Sequence, residues 1–272
     1  MEAPTYNGAM YIDSHCHINF PDLAVRMPEI LARMAENKVT HALCVSVDLP
    51  DFPQVRALAE QYPHIFASVG VHPDYEDTPE PTVEQLVELS DHPKIIAIGE
   101  TGLDYYRLEG DLAWQRARFR NHIRASRITR KPLIIHTRAA SADTIRIMQE
   151  EGAGTDKGGV AGVMHCFTES LEVAEAAIAM GFYISFSGIV TFKSARDLQA
   201  VARVVPLERM LIETDSPYLA PVPFRGRTNE PGYVMHVAEY IATLKDVPLA
   251  EVARQTSANF FSLFQFAQPG TP

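Results

Sequence analysis

The sequence predicts an α/β protein of a single domain, a (β/α)8 or TIM barrel. Short apolar runs alternate with amphipathic stretches about eight times along the 272 residues. Such alternation indicates parallel strands joined by right-handed helical crossovers. Five of the apolar runs also end in a histidine or an acidic residue. Because parallel strands end at the same mouth of a barrel, these side chains are expected to meet there.

Each element of the first half follows from its periodicity or from its terminal residues. Apolar residues at helical spacing predict helices, short apolar runs predict strands, and Thr82 with Gln85 forms a capping box at a helix start. The predicted order is a strand at 10–17, a helix at 23–38, a strand at 41–47, a helix at 53–61, a strand at 66–71, a helix from 82 to about 90 and a strand from 95 ending at Glu100.

The second half repeats the pattern after a polar, aromatic loop at 101–107. We predict helices at 111–129, 141–151, 171–180 and 195–204, and strands at 133–136, 160–165, 182–186 and 209–213. Two closing helices are expected at 232–245 and 249–264, and 267–272 is expected to be a frayed tail. The domain thus spans 1–272 with a core of about 10–264. An open doubly wound sheet is the alternative, but it would not explain ligand-type residues on strands one, four, five, six and eight.

Composition and charge narrow the class of protein. Hydrophobic residues make up 46% and charged residues 21%, as in globular proteins, so disorder is not expected. The formal net charge of −10 disfavours broad electrostatic attraction to nucleic acid or to an anionic membrane. A phosphate-bearing substrate would therefore be held by local charges, meaning metal ions and a few arginines.

The cysteines and the apolar runs indicate the compartment. The three cysteines form no CxxC pair, which favours reduced thiols in a cytoplasmic protein. Residues 1–8 lack the basic and apolar segments of a secretion signal, and no run approaches the roughly 20 residues that span a bilayer. We expect a soluble monomer with no obligate protein partner and no membrane association.

The strand-end residues predict a centre of two divalent cations. His15 and His17 are two residues apart on a strand, so they share one face. On this interpretation His15 and His17 bind one cation, His136 and His165 bind the other, Glu100 bridges, and Asp215 binds a cation and takes the proton of the attacking water. Zinc, manganese, magnesium, iron or nickel would suit these ligands, and a hydroxide bridging the pair would be the nucleophile.

The chain also resembles a known family in several motifs. They are His15-Cys16-His17 after Ile12-Asp13-Ser14, Gly99-Glu100-Thr101-Gly102-Leu103-Asp104-Tyr105-Tyr106, Met164-His165-Cys166-Phe167, Ile184-Ser185-Phe186-Ser187-Gly188, Glu213-Thr214-Asp215-Ser216-Pro217-Tyr218-Leu219 and Arg225-Gly226-Arg227-Thr228-Asn229-Glu230-Pro231. In order, from about Tyr11 to Phe264, they resemble the TatD family of metal-dependent deoxyribonucleases in the amidohydrolase superfamily. The resemblance implies a barrel, the same six ligands, and 3′-to-5′ exonuclease activity on DNA. Phe224 and Thr228 depart from the family pattern, which many members fill with a histidine and a basic residue.

Other residues are open to two interpretations. His72 is either a turn histidine before Pro73 or a substrate contact, and Arg138, Arg225 and Arg227 are either surface charges or phosphate contacts. Tyr218 either stacks on a base or covers the barrel mouth. Cys16 and Cys166 are expected on the outer face, where they pack. The remaining histidines, at 41, 64, 92, 122 and 236, are expected at helix ends or on the surface.

Three functions remain possible from the sequence. The first is a two-metal phosphodiesterase acting on DNA, single-stranded or at 3′ ends. The second is an amidohydrolase that cleaves a carbonyl substrate, such as a mischarged aminoacyl-tRNA. Many amidohydrolases bridge their metals with a carbamylated lysine, and no predicted strand ends in lysine here, which favours the phosphodiesterase. A non-catalytic scaffold would have no need of the full ligand set.

Overall fold

A computed structural model describes residues 10–267 and shows the predicted barrel. Its eight strands are all parallel and lie in chain order in one sheet. They are β1 (Tyr11–Cys16), β2 (Val39–Cys44), β3 (Ile65–Val69), β4 (Ile95–Asp104), β5 (Leu133–Arg138), β6 (Gly162–Met164), β7 (Tyr183–Phe186) and β8 (Met210–Ile212). Cys16 pairs with Ser216 just beyond β8, and this bridge brings the first and last strands together. The expectations for residues 1–8 and for the tail after Ala267 lie outside the described residues.

Helices cover the outside of the barrel. They are α1 (Pro21–Ala24), α2 (Met27–Glu36), α3 (Phe52–Gln61), α4 (Val83–Ser90), α5 (Ala113–Thr129), α6 (Ser141–Glu150), α7 (Leu171–Ala179), α8 (Arg196–Val204), α9 (Val234–Lys245) and α10 (Leu249–Leu263). The capping box of Thr82 and Gln85 is present at α4. Within residues 10–267, no helix combines the length and the apolar character that crossing a bilayer requires.

The predicted helix at 23–38 is wrong in one respect, because the structure divides it into α1 and α2. Arg26 leaves the helical conformation between them, and Pro28 stands in the first turn of α2. Proline has no N–H to donate to the carbonyl four residues earlier, so a continuous helix would lose a hydrogen bond there. The apolar stripe is nevertheless correct, since Leu23, Met27 and Ile30 are buried.

Two strands run past the ends that the sequence predicted. β4 continues through the expected loop to Asp104, and β5 continues beyond His136 to Arg138. The two extensions pair with each other, Gly102 opposite His136 and Asp104 opposite Arg138. Polar residues at the mouth therefore stay in the sheet because a neighbouring strand satisfies their backbone groups. β6 and β8 are shorter than predicted, three residues each.

Two layers of core lie inside and outside the sheet. The outer one fills the space between strands and helices, and the inner one fills the lower barrel with residues such as Ile12, Phe66 and Ile134. α10 closes the bottom of the barrel by inserting Phe260 and Phe264 into that inner core. The upper part of the barrel is left to polar side chains.

A bulge in β1 turns the two histidines of the HxH motif into the barrel. Ile12 faces the inner core, so strict alternation would turn Cys16 inward as well. The pairing with β2 shifts between Asp13 and Cys16, three residues of β1 advancing against two of β2. Cys16 consequently packs in the outer core, and His15 and His17 face inward. Bulges beside active sites commonly redirect side chains in this way.

β4 uses the same device in front of its ligand. Ile98 packs outward, and the pairing with β5 shifts between Ile98 and Thr101, so that Glu100 turns inward. Gly99 makes the irregularity possible, because its φ is +145° and a Cβ there would lie 2.7 Å from the Ile134 carbonyl oxygen.

Candidate metal centre

The six predicted ligands converge on one point at the C-terminal mouth of the barrel, with Glu100 at the centre. Its carboxylate is almost fully buried and lies between two sets of histidines. Oε2 faces the side formed by β1, and Oε1 faces the side formed by the ends of β3, β5 and β6. We call these the Oε2 side and the Oε1 side of the centre.

The Oε2 side consists of His15, His17 and Asp215. His15 Nε2 lies 3.3 Å and His17 Nε2 4.0 Å from Glu100 Oε2, and the two imidazole nitrogens are 3.2 Å apart. Asp215 Oδ1 lies 3.4 Å from His17 Nε2 and 3.7 Å from His15 Nε2. Two imidazoles and two carboxylates therefore surround a single small volume.

Three histidines face the other oxygen. Glu100 Oε1 lies 2.8 Å from His165 Nε2, 3.3 Å from His136 Nδ1 and 3.3 Å from His72 Nε2. His15 and His165 also stack, with ring centroids 3.8 Å apart, so the two sides are in contact.

These spacings fit divalent cations. Bonds of about 2.0–2.1 Å to tetrahedral ligands separate neighbouring ligand atoms by about 3.3–3.4 Å. Three groups of residues each place their ligand atoms within 4.8 Å of one another. The groups are His15, His165 and Asp215; His15, His17 and Glu100; and His72, Glu100 and His136. In addition, His165 Nε2 is buried 2.8 Å from Glu100 Oε1 but makes no hydrogen bond of suitable geometry, so a cation between the two atoms would satisfy both. Imidazole and carboxylate together suit zinc, manganese or iron.

Groups behind the ligands orient the imidazole rings. His136 Nε2–H donates to Asp104 Oδ2 over 3.0 Å, and His165 Nδ1–H donates to Glu213 Oε1 over 3.1 Å. His17 Nδ1–H donates to the Val45 carbonyl over 3.0 Å. Each bond fixes the tautomer and leaves the opposite nitrogen free to bind a cation.

The acidic groups of the centre are held in their charged forms. Burial alone would raise the pKa of Glu100, but the charges of His165, His72 and His15 outweigh it and hold the pKa well below its ordinary value. The pKa of Asp104 is lowered to about 2, because burial is outweighed by the hydrogen bonds from His136 and from backbone N–H groups. Glu100 is thus ionised where a cation would bind, and Asp104 is ionised where it holds His136.

A second set of bonds fixes the segment that carries Asp215. This residue adopts a φ of +55°, and its N–H donates to the His15 carbonyl over 2.9 Å. The buried Asp13 accepts hydrogen bonds from the Thr214 N–H and hydroxyl, at 2.8 and 2.5 Å. The end of β1 and the segment after β8 are therefore tied together where the barrel closes.

A cavity of about 500 Å³ opens above the centre. His72, Arg138 and Tyr218, which the sequence suggested as substrate contacts, all line it. Arg225 and Arg227 do not line it; their guanidinium groups lie over the rings of Phe192 and Phe224, at 4.2 and 5.9 Å.

The departure at Phe224 also lies away from this cavity. Its ring stacks on Tyr233 at 4.2 Å, so it packs against the segment before α9. Phe224, Arg225 and Arg227 therefore all lie outside the cavity that opens above the centre.

Sequence reasoning misplaced three residues. Cys166 lines the cavity, because a φ of +42° turns the chain where β6 has already ended, so alternation does not apply. His41 and His122 are buried, at 4% and 0% exposure, and not on the surface. His41 lies in β2, and His122 lies in the middle of α5, where periodicity could have shown that it faces inward.

Sequence reasoning also missed the orienting carboxylates. Asp104, Asp74 and Asp13 were assigned no role, although Asp104 stands in one of the motifs of the resemblance. Glu213, the first residue of another motif, was not predicted to hold His165. A usable signal existed for Asp104, since an acid four residues beyond a ligand on the same strand points to the same mouth.

Comparisons with known proteins agree with this geometry. A family model described as TatD related DNase matches residues 12–265. The metal-dependent hydrolase YcfH of Escherichia coli (strain K12) is 46% identical over 93% of this chain and 95% of YcfH. The metal-dependent hydrolase YabD of Bacillus subtilis (strain 168) is 42% identical over 94% of this chain and 99% of YabD. The crystal structure of YJJV, a TatD homologue from Escherichia coli, superposes with a TM-score of 0.86 at 28% identity, covering 94% of this chain and 98% of YJJV.

Proposed function

The chain belongs to the TatD family of metal-dependent hydrolases, and from that premise we propose that it is a two-cation phosphodiesterase that removes nucleotides from the 3′ ends of DNA. The observation that carries the proposal is the position of Glu100. One carboxylate oxygen faces two histidines and an aspartate, and the other faces three histidines. A bridging carboxylate between two sets of ligands is the arrangement that two neighbouring cations require.

Two cations held there would polarise a water molecule and stabilise the charge that develops on the phosphoryl oxygens. The residues of the chain perform the remaining tasks. Asp215 lines the cavity with 16% of its side chain exposed, and its carboxylate accepts the proton of the attacking water. Burial alone would raise the pKa of Asp215, but the hydrogen bond from His17 and the charge of His15 lower it, so the carboxylate is ionised.

The upper wall of the cavity supplies contacts for an acidic strand. Arg138 lies with its guanidinium 3.9 Å from the ring centroid of Tyr106, at the rim. Tyr218 is 56% exposed and lines the same cavity, and the ring of Phe20 lies 6.4 Å from that of Tyr218 and 4.9 Å from that of His17. A cation for the phosphate and rings for the base match a flexible nucleotide strand.

Labelled DNA tests the proposal directly. Single-stranded DNA carrying a label at the 3′ end should lose it as mononucleotide from the first time points, with Mg²⁺, Mn²⁺ or Zn²⁺ present and not with chelator. A 5′ label should remain on progressively shorter strands. Arg138→Gln should raise KM, whereas Arg225→Gln, a matched change outside the cavity, should not. Cleavage of an aminoacyl ester in preference to DNA would contradict the proposal and favour the carbonyl-directed alternative.

A further inference from the structure

His72 stands in the same relation to Glu100 as a ligand does. Its Nε2 lies 3.3 Å from Glu100 Oε1, the same distance as His136 Nδ1. The His72 and His136 rings meet edge to face with centroids 4.6 Å apart, so both nitrogens approach one point. The 3.3 Å between His72 Nε2 and Glu100 Oε1 is the separation expected of two ligands on one tetrahedral cation with bonds of about 2.0–2.1 Å.

The other nitrogen of His72 has the partner that metal-binding histidines require. His72 Nδ1 contacts Asp74 Oδ1 closely, and Asp74 Oδ2 in turn accepts from Arg107 Nη1 over 3.1 Å. The three histidines on the Oε1 side therefore share one feature, since each contacts a carboxylate through its second nitrogen: His72 with Asp74, His136 with Asp104 and His165 with Glu213. This carboxylate–histidine pairing orients the ring and raises its basicity toward a cation.

The backbone around His72 is also fixed. The backbone N–H of His72 donates to the Val47 carbonyl, and the backbone carbonyl of His72 accepts from Arg118 Nη1, both over 2.8 Å. The preceding N–H, of Val71, donates to His122 Nε2 over 3.0 Å. Arg118 and His122 are buried in α5. A histidine whose backbone is anchored on both sides can hold its imidazole in the fixed position that a ligand requires.

We propose that His72 is a ligand of the cation on the Oε1 side, together with His136, His165 and Glu100, and is not primarily a contact for substrate phosphate. The inference rests on the two-cation centre proposed above. It places three imidazoles on one cation and two on the other. The Oε1 side is consequently the more nitrogen-rich site and should favour Zn²⁺, whereas the Oε2 side, with Asp215 as well, should accept Mn²⁺ or Mg²⁺ more readily.

Cation affinity is the decisive measurement, because it does not depend on turnover. Metal-free protein is titrated with Zn²⁺ by calorimetry, and bound metal is counted by mass spectrometry. The protein should bind two ions. His72→Gln should bind one of them with affinity reduced about 100-fold or more and the other as before. His64→Gln, at the opposite end of β3, is the matched control and should bind both ions as the unchanged protein does.

Two further readouts guard against a variant that simply misfolds. Asp74→Asn keeps the imidazole and should weaken the same ion by about 10–100-fold. In the Co²⁺-loaded protein, the Nδ1–H of His72 should give a paramagnetically shifted, exchangeable proton resonance that is missing only from His72→Gln. Circular dichroism and the melting temperature of the metal-free variants show whether each is folded.

The outcomes separate the two proposals. If the unchanged protein binds two ions and His72→Gln retains both affinities while its KM for DNA rises, His72 is a substrate contact and this inference is overturned alone. If the unchanged protein binds fewer than two ions, the two-cation function and this inference fail together.

Discussion

The two ends of the barrel bury histidines under opposite conditions. At the floor, His41 lies against Phe66 and Phe261 with no acidic partner, and burial lowers its pKa to about 4. At the mouth, His165 is buried as deeply, yet Glu100 and Glu213 outweigh the effect of burial and raise its pKa well above the ordinary value. The same residue is therefore neutral and apolar at one end and paired with carboxylates at the other.

This difference shows how the fold separates stability from chemistry. The floor is closed by α10 and filled by aromatic rings, so it contributes hydrophobic burial. The mouth contains buried polar atoms without partners, among them His15 Nδ1 and Glu213 Oε2, and His41 Nε2 is such an atom at the floor. Such atoms cost free energy of folding and are tolerated where they serve a function.

The largest expected effect comes from removing the centre of the mouth. Glu100→Ala should lose both cations' shared ligand, so metal-dependent hydrolysis should fall to the level of the chelated protein. The fold should persist, because the floor and the outer core are untouched. Activity, metal content and circular dichroism measure this, with Glu84→Ala on the exposed first turn of α4 as control. An unchanged rate in Glu100→Ala would contradict the two-cation mechanism.

The converse change at the floor should affect stability and not chemistry. Phe260 is fully buried and contacts Phe66, Phe261 and Phe264. Phe260→Ala should lower the free energy of unfolding by about 3–5 kcal/mol, because it leaves a cavity in the inner core. Denaturant titration measures the loss, and cation affinity measured on the folded protein should stay the same. A large fall in cation affinity would show that the two ends are coupled.

A smaller change at the mouth tests the orienting carboxylates. Asp104→Asn removes the charge that holds His136 Nε2–H, so cation affinity should fall by about 10–100-fold while the melting temperature of the metal-free protein changes little. Calorimetric titration gives the affinity. Asp111→Asn, on the exposed approach to α5, is the control. Equal affinities in the two variants would show that Asp104 does not position the ligand.

The smallest expected effect is the change in the free energy of unfolding with pH that the buried His41 at the floor causes. His41 has a folded-state pKa of about 4 and an ordinary value of 6.5, so the unfolded chain binds a proton first as the pH falls. His41 should therefore cost about 2 kcal/mol of stability at pH 5 relative to pH 7.5. Denaturant titrations of the metal-free protein and of His41→Gln at both pH values measure this. The variant should lose less stability on acidification, and equal losses would contradict the assignment.

The fold was predictable because it depends on local patterns. Apolar periodicity, the Thr82 capping box and the strand–helix alternation each depend on neighbours within a few residues. The prediction missed the break at Arg26 and the extension of β4 to Asp104. The extension exists only because β5 lies beside it, whereas the break follows from Pro28, a local signal that the apolar periodicity concealed.

The candidate site divides in the same way. Alternation placed His15 and His17 on a common face, and strand ends placed Glu100, His136, His165 and Asp215 at one mouth. The carboxylates behind the ligands escaped notice, because Asp74, Asp104 and Glu213 are recognisable only by what their oxygens touch. Arg225 and Arg227 were surface charges by default and became possible phosphate contacts only through the family resemblance, and the structure turns them onto aromatic rings outside the cavity.

The sequence by itself determined the barrel, the order of its strands and the identity of the residues at its mouth, because these follow from periodicities of two and 3.6 residues. Only the tertiary structure decided which way those residues face. Strict alternation from Ile12 would have turned Cys16 inward, and alternation from Ile98 would have turned Glu100 outward. A bulge on each strand reverses that direction, and its position depends on the pairing with the neighbouring strand, which no local pattern encodes.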